Sequence, residues 1–117
     1  MESTVHWLLE VSVNEGQLDA FKELMTEMVA ATKNEPDTLI YEWYFNEDHS
    51  TCQINERYRD SAATMVHLQS FGGFAVRFMA AVTPVNFIVM GNPDSAVREG
   101  LAGLNPSYLL LEAGFSR

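Results

Sequence analysis

The side chains best suited to moving a proton crowd into one stretch, EPDTLIYEWYFNEDHSTCQINERYRDSAATMVH, from Glu35 to His67. Glu42 and Glu56 lie in runs that are otherwise aromatic and aliphatic. Burying an unpaired carboxylate is costly, so each needs a partner or a task. His67 brings an imidazole whose ordinary pKa of ~6.5 lets small changes in surroundings set its charge at neutral pH. Carboxylate and imidazole together could take a proton from a bound hydroxyl. A few polar groups in an apolar lining is the usual make-up of a small-molecule pocket.

Each residue also has a plain structural reading. His67 borders an apolar helix face with Ala63, Val66, Ser70 and Phe71, so it is either a base or a core-edge histidine bonded to a carbonyl or to Glu56. Glu56 shares a strand face with Cys52, Ile54 and Tyr58; it either orients His67 or a substrate hydroxyl, or pairs across the sheet with a cation for ~0.2–1 kcal/mol. For Glu42 and Arg57 an ion pair or a contact between copies is the simpler reading. Tyr44 and Tyr58 carry hydroxyls that need partners when buried, which makes them candidates for orienting a substrate. Trp7, Tyr41, Trp43 and Phe45 read as core or interface before substrate wall, while Phe71, Phe74 and Phe78 line the space between helix and sheet. Cys52, on an apolar face without a cationic neighbour, reads as a small core residue. The three histidines are scattered, and no metal-ligand spacing, phosphate loop or nucleophile elbow is present.

Composition narrows the partners. The chain has 117 residues, 47% hydrophobic and 11% aromatic, which suits one ordered domain with its own core. A formal net charge of -9 repels phosphate backbones and anionic lipid, so nucleic acid and membrane surfaces are poor partners. Small neutral or aromatic molecules and other proteins remain. Cys52 is the sole cysteine, which excludes an internal disulfide and fits a reducing compartment. MESTVHW is not a secretory signal, and AAVTPVNFIVMG is too short and too interrupted to span a bilayer. The expectation is a cytoplasmic protein.

The elements that must position these residues are legible in the periodicity. Val5, Trp7, Leu9, Val11 and Val13 alternate as one face of a strand. Asn14 is a plausible cap for a helix carrying Leu18, Phe21, Leu24, Met25 and Met28, which Pro36 stops. Thr38–Asn46 and Thr51–Tyr58 form a hairpin, with Leu39, Tyr41, Trp43 and Phe45 on one face of the first strand. Asp60 or Ser61 caps a second helix, interrupted at Gly72 and Gly73 and resumed through Phe74, Phe78 and Val82. Pro84 opens a strand that ends at Gly91. The order is the ferredoxin-like split βαβ (βαββαβ), an α+β antiparallel sheet with both helices on one face. Apolar residues on both sides of the strands predict that a second copy covers the other face, a homodimer. Residues 1–92 read as the domain. Residues 93–117, a short helix and a tail, are expected to dock on it or on the dimer partner.

EPDTLIYEWYFNED, then ERYRDSAATMVH, then a glycine-interrupted run to a Pro-initiated strand, resembles the antibiotic biosynthesis monooxygenase family over Val5 to Gly91. That resemblance implies a dimeric α+β barrel. It also implies cofactor-independent oxidation of an electron-rich aromatic substrate (a phenol, hydroquinone or polyketide), with no metal, flavin or haem. On this reading His67 abstracts the proton, Glu56 orients it, and Trp43, Tyr44, Tyr58, Phe74 and Phe78 bind the substrate. The haem-degrading branch of the fold is disfavoured, because Leu9, His67 and Phe78 stand where it uses asparagine, tryptophan and histidine. The alternative is a non-catalytic small-molecule-binding or stress-response protein of the same fold, or a subunit whose apolar surface serves only dimerisation.

Overall fold

The computed structural model describes residues 3–117. In chain order the elements are β1 (Val5–Val13), α1 (Leu18–Thr32), β2 (Thr38–Phe45), β3 (Thr51–Tyr58), α2 (Ser61–Phe71), α3 (Ala75–Ala81), β4 (Val82–Met90), α4 (Ser95–Leu101), a 3-10 turn (Ala102–Leu104) and β5 (Ser107–Leu109). They form one five-stranded sheet in the order β2-β3-β1-β4-β5. The first four strands are antiparallel neighbours in the ferredoxin-like order; β5 pairs parallel with β4.

The period-2 pattern decides which face is buried. Val5, Trp7, Leu9 and Val11 of β1 are at most 5% exposed, as are Cys52, Ile54, Glu56 and Tyr58 of β3. Phe21, Leu24 and Met28 of α1, Phe78 of α3 and Val97 and Leu101 of α4 complete the core against that face. The other face carries Leu8, Ile88 and Met90, half-buried, with Tyr44 and Val85 exposed.

The barrel expected from the resemblance is corrected. The sheet is open, ending at two edges, β2 and β5. Closing a sheet around a packed interior takes about eight strands, and this one has five. Nor is it wholly antiparallel, because the tail adds a parallel strand.

Three local expectations also change. Asn14 does not cap α1, whose N-cap is Gln17 without a side-chain bond. The Asn14 amide instead donates to the Ala80 carbonyl, and its oxygen accepts from Thr83, tying the start of α1 to the start of β4. β4 begins at Val82, with Pro84 opposite Val11 where the register shifts. A bulge is where a sheet tolerates a residue without an N–H. Leu39 is 43% exposed because the register of β2 on β3 slips between Thr38 and Ile40. By contrast Asp60 caps α2, accepting from the Ala63 N–H at 2.8 Å.

Gly91 closes the frame. Its φ is +117°, and a Cβ there would lie 2.6 Å from the Thr4 carbonyl oxygen. Its N–H donates to Leu109, so one residue joins β4, β5 and the start of β1 at close quarters.

Candidate functional site

Four titratable side chains meet where α2 crosses the sheet. Capping by Asp60 fixes where α2 starts, so its buried positions are Ala63, Thr64 and His67. β3 presents Glu56 and Tyr58 on its buried face, with Glu56 opposite Trp7 on one side and Tyr41 on the other. His67 Nε2 lies 3.3 Å from Glu56 Oε1, and Tyr58 donates to that oxygen at 2.5 Å. The second ring nitrogen, Nδ1, lies 3.0 Å from Glu35 Oε1. Glu35 is the residue that Pro36 forces out of helical geometry. Its backbone N–H reaches Thr32 and its carbonyl accepts from Thr38, which turns the side chain onto α2. Thr38 also donates from its hydroxyl to Glu35 Oε1 at 2.8 Å.

Three of the groups are buried, His67 and Glu56 at 4% and 5% exposed and Tyr58 fully covered, and the Glu35 side chain is 8% exposed. Burial of the ring opposes a charge on His67. The hydrogen bond and charge of Glu56, aided by Glu35, outweigh it and raise the His67 pKa above its ordinary value. Burial, with Glu56 nearby, pushes the Tyr58 and Tyr41 phenols well up, so both stay neutral donors. Burial lifts the Cys52 thiol to about 12, which leaves it unreactive as a nucleophile.

Beside this cluster is a cavity of about 40 Å³, with Glu56 and His67 on a wall otherwise made of side chains such as Trp7, Tyr41, Phe71, Phe78 and Phe87. That volume suits a few waters; a cavity that takes up benzene measures roughly 150 Å³. Tyr41, Leu68, Phe71 and Leu104 are the half-buried members of the wall, so their movement would admit a ring.

The sequence-predicted residues divide three ways. His67, Glu56 and Phe78 line the cavity, and Tyr58 is bonded to Glu56. Trp43 stands one layer back, 6.2 Å from Phe78 and 5.5 Å from Phe21 between ring centroids, and Phe74 is half-buried against the core. Tyr44 is on the opposite sheet face, 57% exposed, donating to Glu42. Sequence reasoning missed Glu35 and Tyr41. Tyr41 has a signal, since it alternates in phase with Trp43; Glu35 has none beyond its place before Pro36. Phe71 and Phe78 take up part of the space, but the carboxylate–imidazole pair still faces the cavity. Among the described residues no cluster of His, Cys, Asp and Glu suited to a metal ion occurs, and no helix is long and apolar enough to cross a membrane.

Comparison with known proteins now bears on this geometry. The profile of the antibiotic biosynthesis monooxygenase family matches residues 4–72, which include Glu35, Glu56, Tyr58 and His67. MupZ from Pseudomonas fluorescens is 26% identical, superposes with a TM-score of 0.87 and is covered over 91% of its chain by all of this one. Rv0793 from Mycobacterium tuberculosis is 24% identical, with a TM-score of 0.69 over 80% of this chain and 99% of its own. SnoaB, a cofactor-independent oxygenase from Streptomyces nogalater, is 14% identical, with a TM-score of 0.66 over 80% of this chain and 96% of its own. Among curated proteins no match was found.

Proposed function

The chain belongs to the antibiotic biosynthesis monooxygenase family, and from that premise we propose that it oxidises an electron-rich aromatic substrate without a cofactor. The substrate is a neutral phenol or hydroquinone, bound in the cavity beside α2. The observation that carries this reading is the Glu56–His67 pair, 3.3 Å apart, on an otherwise apolar wall. The pair takes the phenolic proton; the substrate then gives four electrons and two hydrogens in all to dioxygen, so that one oxygen atom enters the ring, the other leaves as water and the ring leaves as a quinone. Tyr58 holds Glu56 in place, Phe78 and Tyr41 flank the ring, and Trp43 and Phe74 support Phe78 from behind. Residues 93–117 act as an extension of the 1–92 domain that supplies Leu101 and Leu104 to the wall. Two copies pair through the uncovered sheet face, where Leu8, Ile88 and Met90 are half-buried; light scattering at the mass of one chain would refute this.

A second reading rests on the presence of both a carboxylate base and neutral or cationic donors in one site. Such a set also suits acid–base catalysis without oxygen, an isomerisation or a water addition on a neutral substrate. Oxygen uptake by the purified protein with a panel of hydroquinones, against His67→Ala, separates the two. Uptake above autoxidation that is lost in the variant supports the oxygenase. Persistent uptake in the variant removes the His67 role. No uptake with any hydroquinone overturns the oxygenase and leaves proton transfer or ligand binding.

A further inference from the structure

Glu35 has no place on the cavity wall, yet it is bonded to the same imidazole as the carboxylate that does. His67 Nδ1 faces Glu35 Oε1 at 3.0 Å and Nε2 faces Glu56 Oε1 at 3.3 Å, so one ring is held between two carboxylates. Only Glu56 lines the cavity. Glu35 lies on the far side, lining two surface depressions, one with Lys33 and Thr38 and one with Asp37 and Asp60. Among the described residues neither carboxylate is paired with an arginine or lysine. Glu35 Oε2 has no hydrogen-bond partner there at all. The other titratable groups against His67 are the neutral phenols of Tyr58 and Tyr41, at ring-centroid distances of 5.1 and 5.2 Å.

The charge count then decides which group can act as base. With His67 as an imidazolium, Glu56 alone would give a neutral ion pair, whose carboxylate is already spent on its partner. With Glu35 present the cluster carries one net negative charge. We propose that Glu35 is the resident counter-ion of His67, a positioning residue that leaves Glu56 as the group accepting the substrate proton. The inference rests on the reading that this cavity is the reaction site, and it narrows the substrate class. The substrate O–H bond breaks as a new O–H bond forms on Glu56, and its electron pair stays on the substrate oxygen. The cluster passes from one net negative charge to neutral. A wall that holds that negative charge and no lysine or arginine admits a neutral hydroxyl donor and rejects carboxylates and phosphates.

The test compares wild type with Glu35→Gln, which keeps shape and hydrogen-bonding capacity, and with Thr38→Val, which loosens Glu35 without changing charge. The first readout needs no substrate: NMR titration of the His67 ring. Glu35→Gln should move the His67 midpoint down by about one pH unit or more, and Thr38→Val should leave it near wild type. An unmoved midpoint in Glu35→Gln, or the same movement in both variants, overturns the proposal. The second readout is the pH profile of oxygen uptake with a hydroquinone. Glu35→Gln should lower kcat on the order of tenfold to a hundredfold, displace the limb of the profile and leave KM within about twofold. Equal losses in kcat and KM with an unmoved profile would make Glu35 a structural residue. If wild type consumes no oxygen, the oxygenase reading fails while the titration still decides the role of Glu35.

Discussion

Replacing Glu56 by glutamine removes one charge from the cluster while keeping its volume and an oxygen that can accept from Tyr58. In the wild type the His67 pKa is raised on folding by Glu56 and Glu35 against the opposing effect of burial. The folded protein therefore holds a proton that the unfolded chain releases near ~6.5, the ordinary histidine value. The resulting stability is fully present below that value and is lost as pH rises through the higher folded value. Glu56→Gln deletes the strongest raising influence and leaves burial against Glu35 alone. Hydrogen bonds to charged groups contribute about 1.5–3 kcal/mol. Because Glu35 stays 3.0 Å from the ring, the expected loss is about 2 kcal/mol at pH 6, or roughly 8 °C in Tm for a chain of this size. Above the folded pKa of His67 the ring is neutral in both proteins and the difference should shrink. Urea unfolding at pH 6, 7, 8 and 9, with NMR titration of His67 alongside, measures both quantities. A stability difference that is constant across this range, or a His67 midpoint unmoved by the substitution, would refute the electrostatic account.

Gly91→Ala should cost about 2–3 kcal/mol, because its Cβ would fall 2.6 Å from the Thr4 carbonyl oxygen at a φ of +117°; hydrogen exchange should show the Gly91–Leu109 bond opening first. Phe71→Ala should enlarge the cavity at a cost of about 2–3 kcal/mol, while benzene, which the 40 Å³ cavity admits only if its wall moves, should gain affinity by calorimetry. If benzene binds no better than to wild type, Phe71 is not the obstructing wall. Arg77→Ala breaks the Glu27 pair, whose two side chains are 51% and 46% exposed; being solvated and screened, its loss should leave the melting temperature unchanged.

The frame was largely legible because alternation and helical spacing survive any tertiary context. Each apolar residue of β1 predicted inward is on the covered face, and Asp60 caps α2. What escaped depends on contacts between elements. Tyr44 and Trp43 are adjacent in a strand and so point to opposite faces; naming both for one pocket set aside the alternation that separates them. Leu39 fell out of phase through a register slip that its own strand does not encode. Glu35 was read only as a helix end, because nothing local says that the turn after α1 lies against α2. The open sheet differs from the expected barrel because strand number and closure belong to the assembly of elements rather than to any one of them.

The strand order also sets a schedule for synthesis. β1, made first, lies between β3 and β4, and β4 ends at Met90. Glu35, Glu56 and His67 all precede residue 72, but Phe78, Phe87, Leu101 and Leu104 of the cavity wall follow it. A nascent chain that has emerged only as far as α2 therefore holds its ionisable residues with the wall incomplete, lacking the four later side chains that help exclude water from them. At synthesis rates of about 5–20 residues per second, the interval before Leu104 appears lasts seconds. Until Met90 emerges, the central strand has one edge unpaired, open to any chaperone or stray strand that reaches it before β4 does.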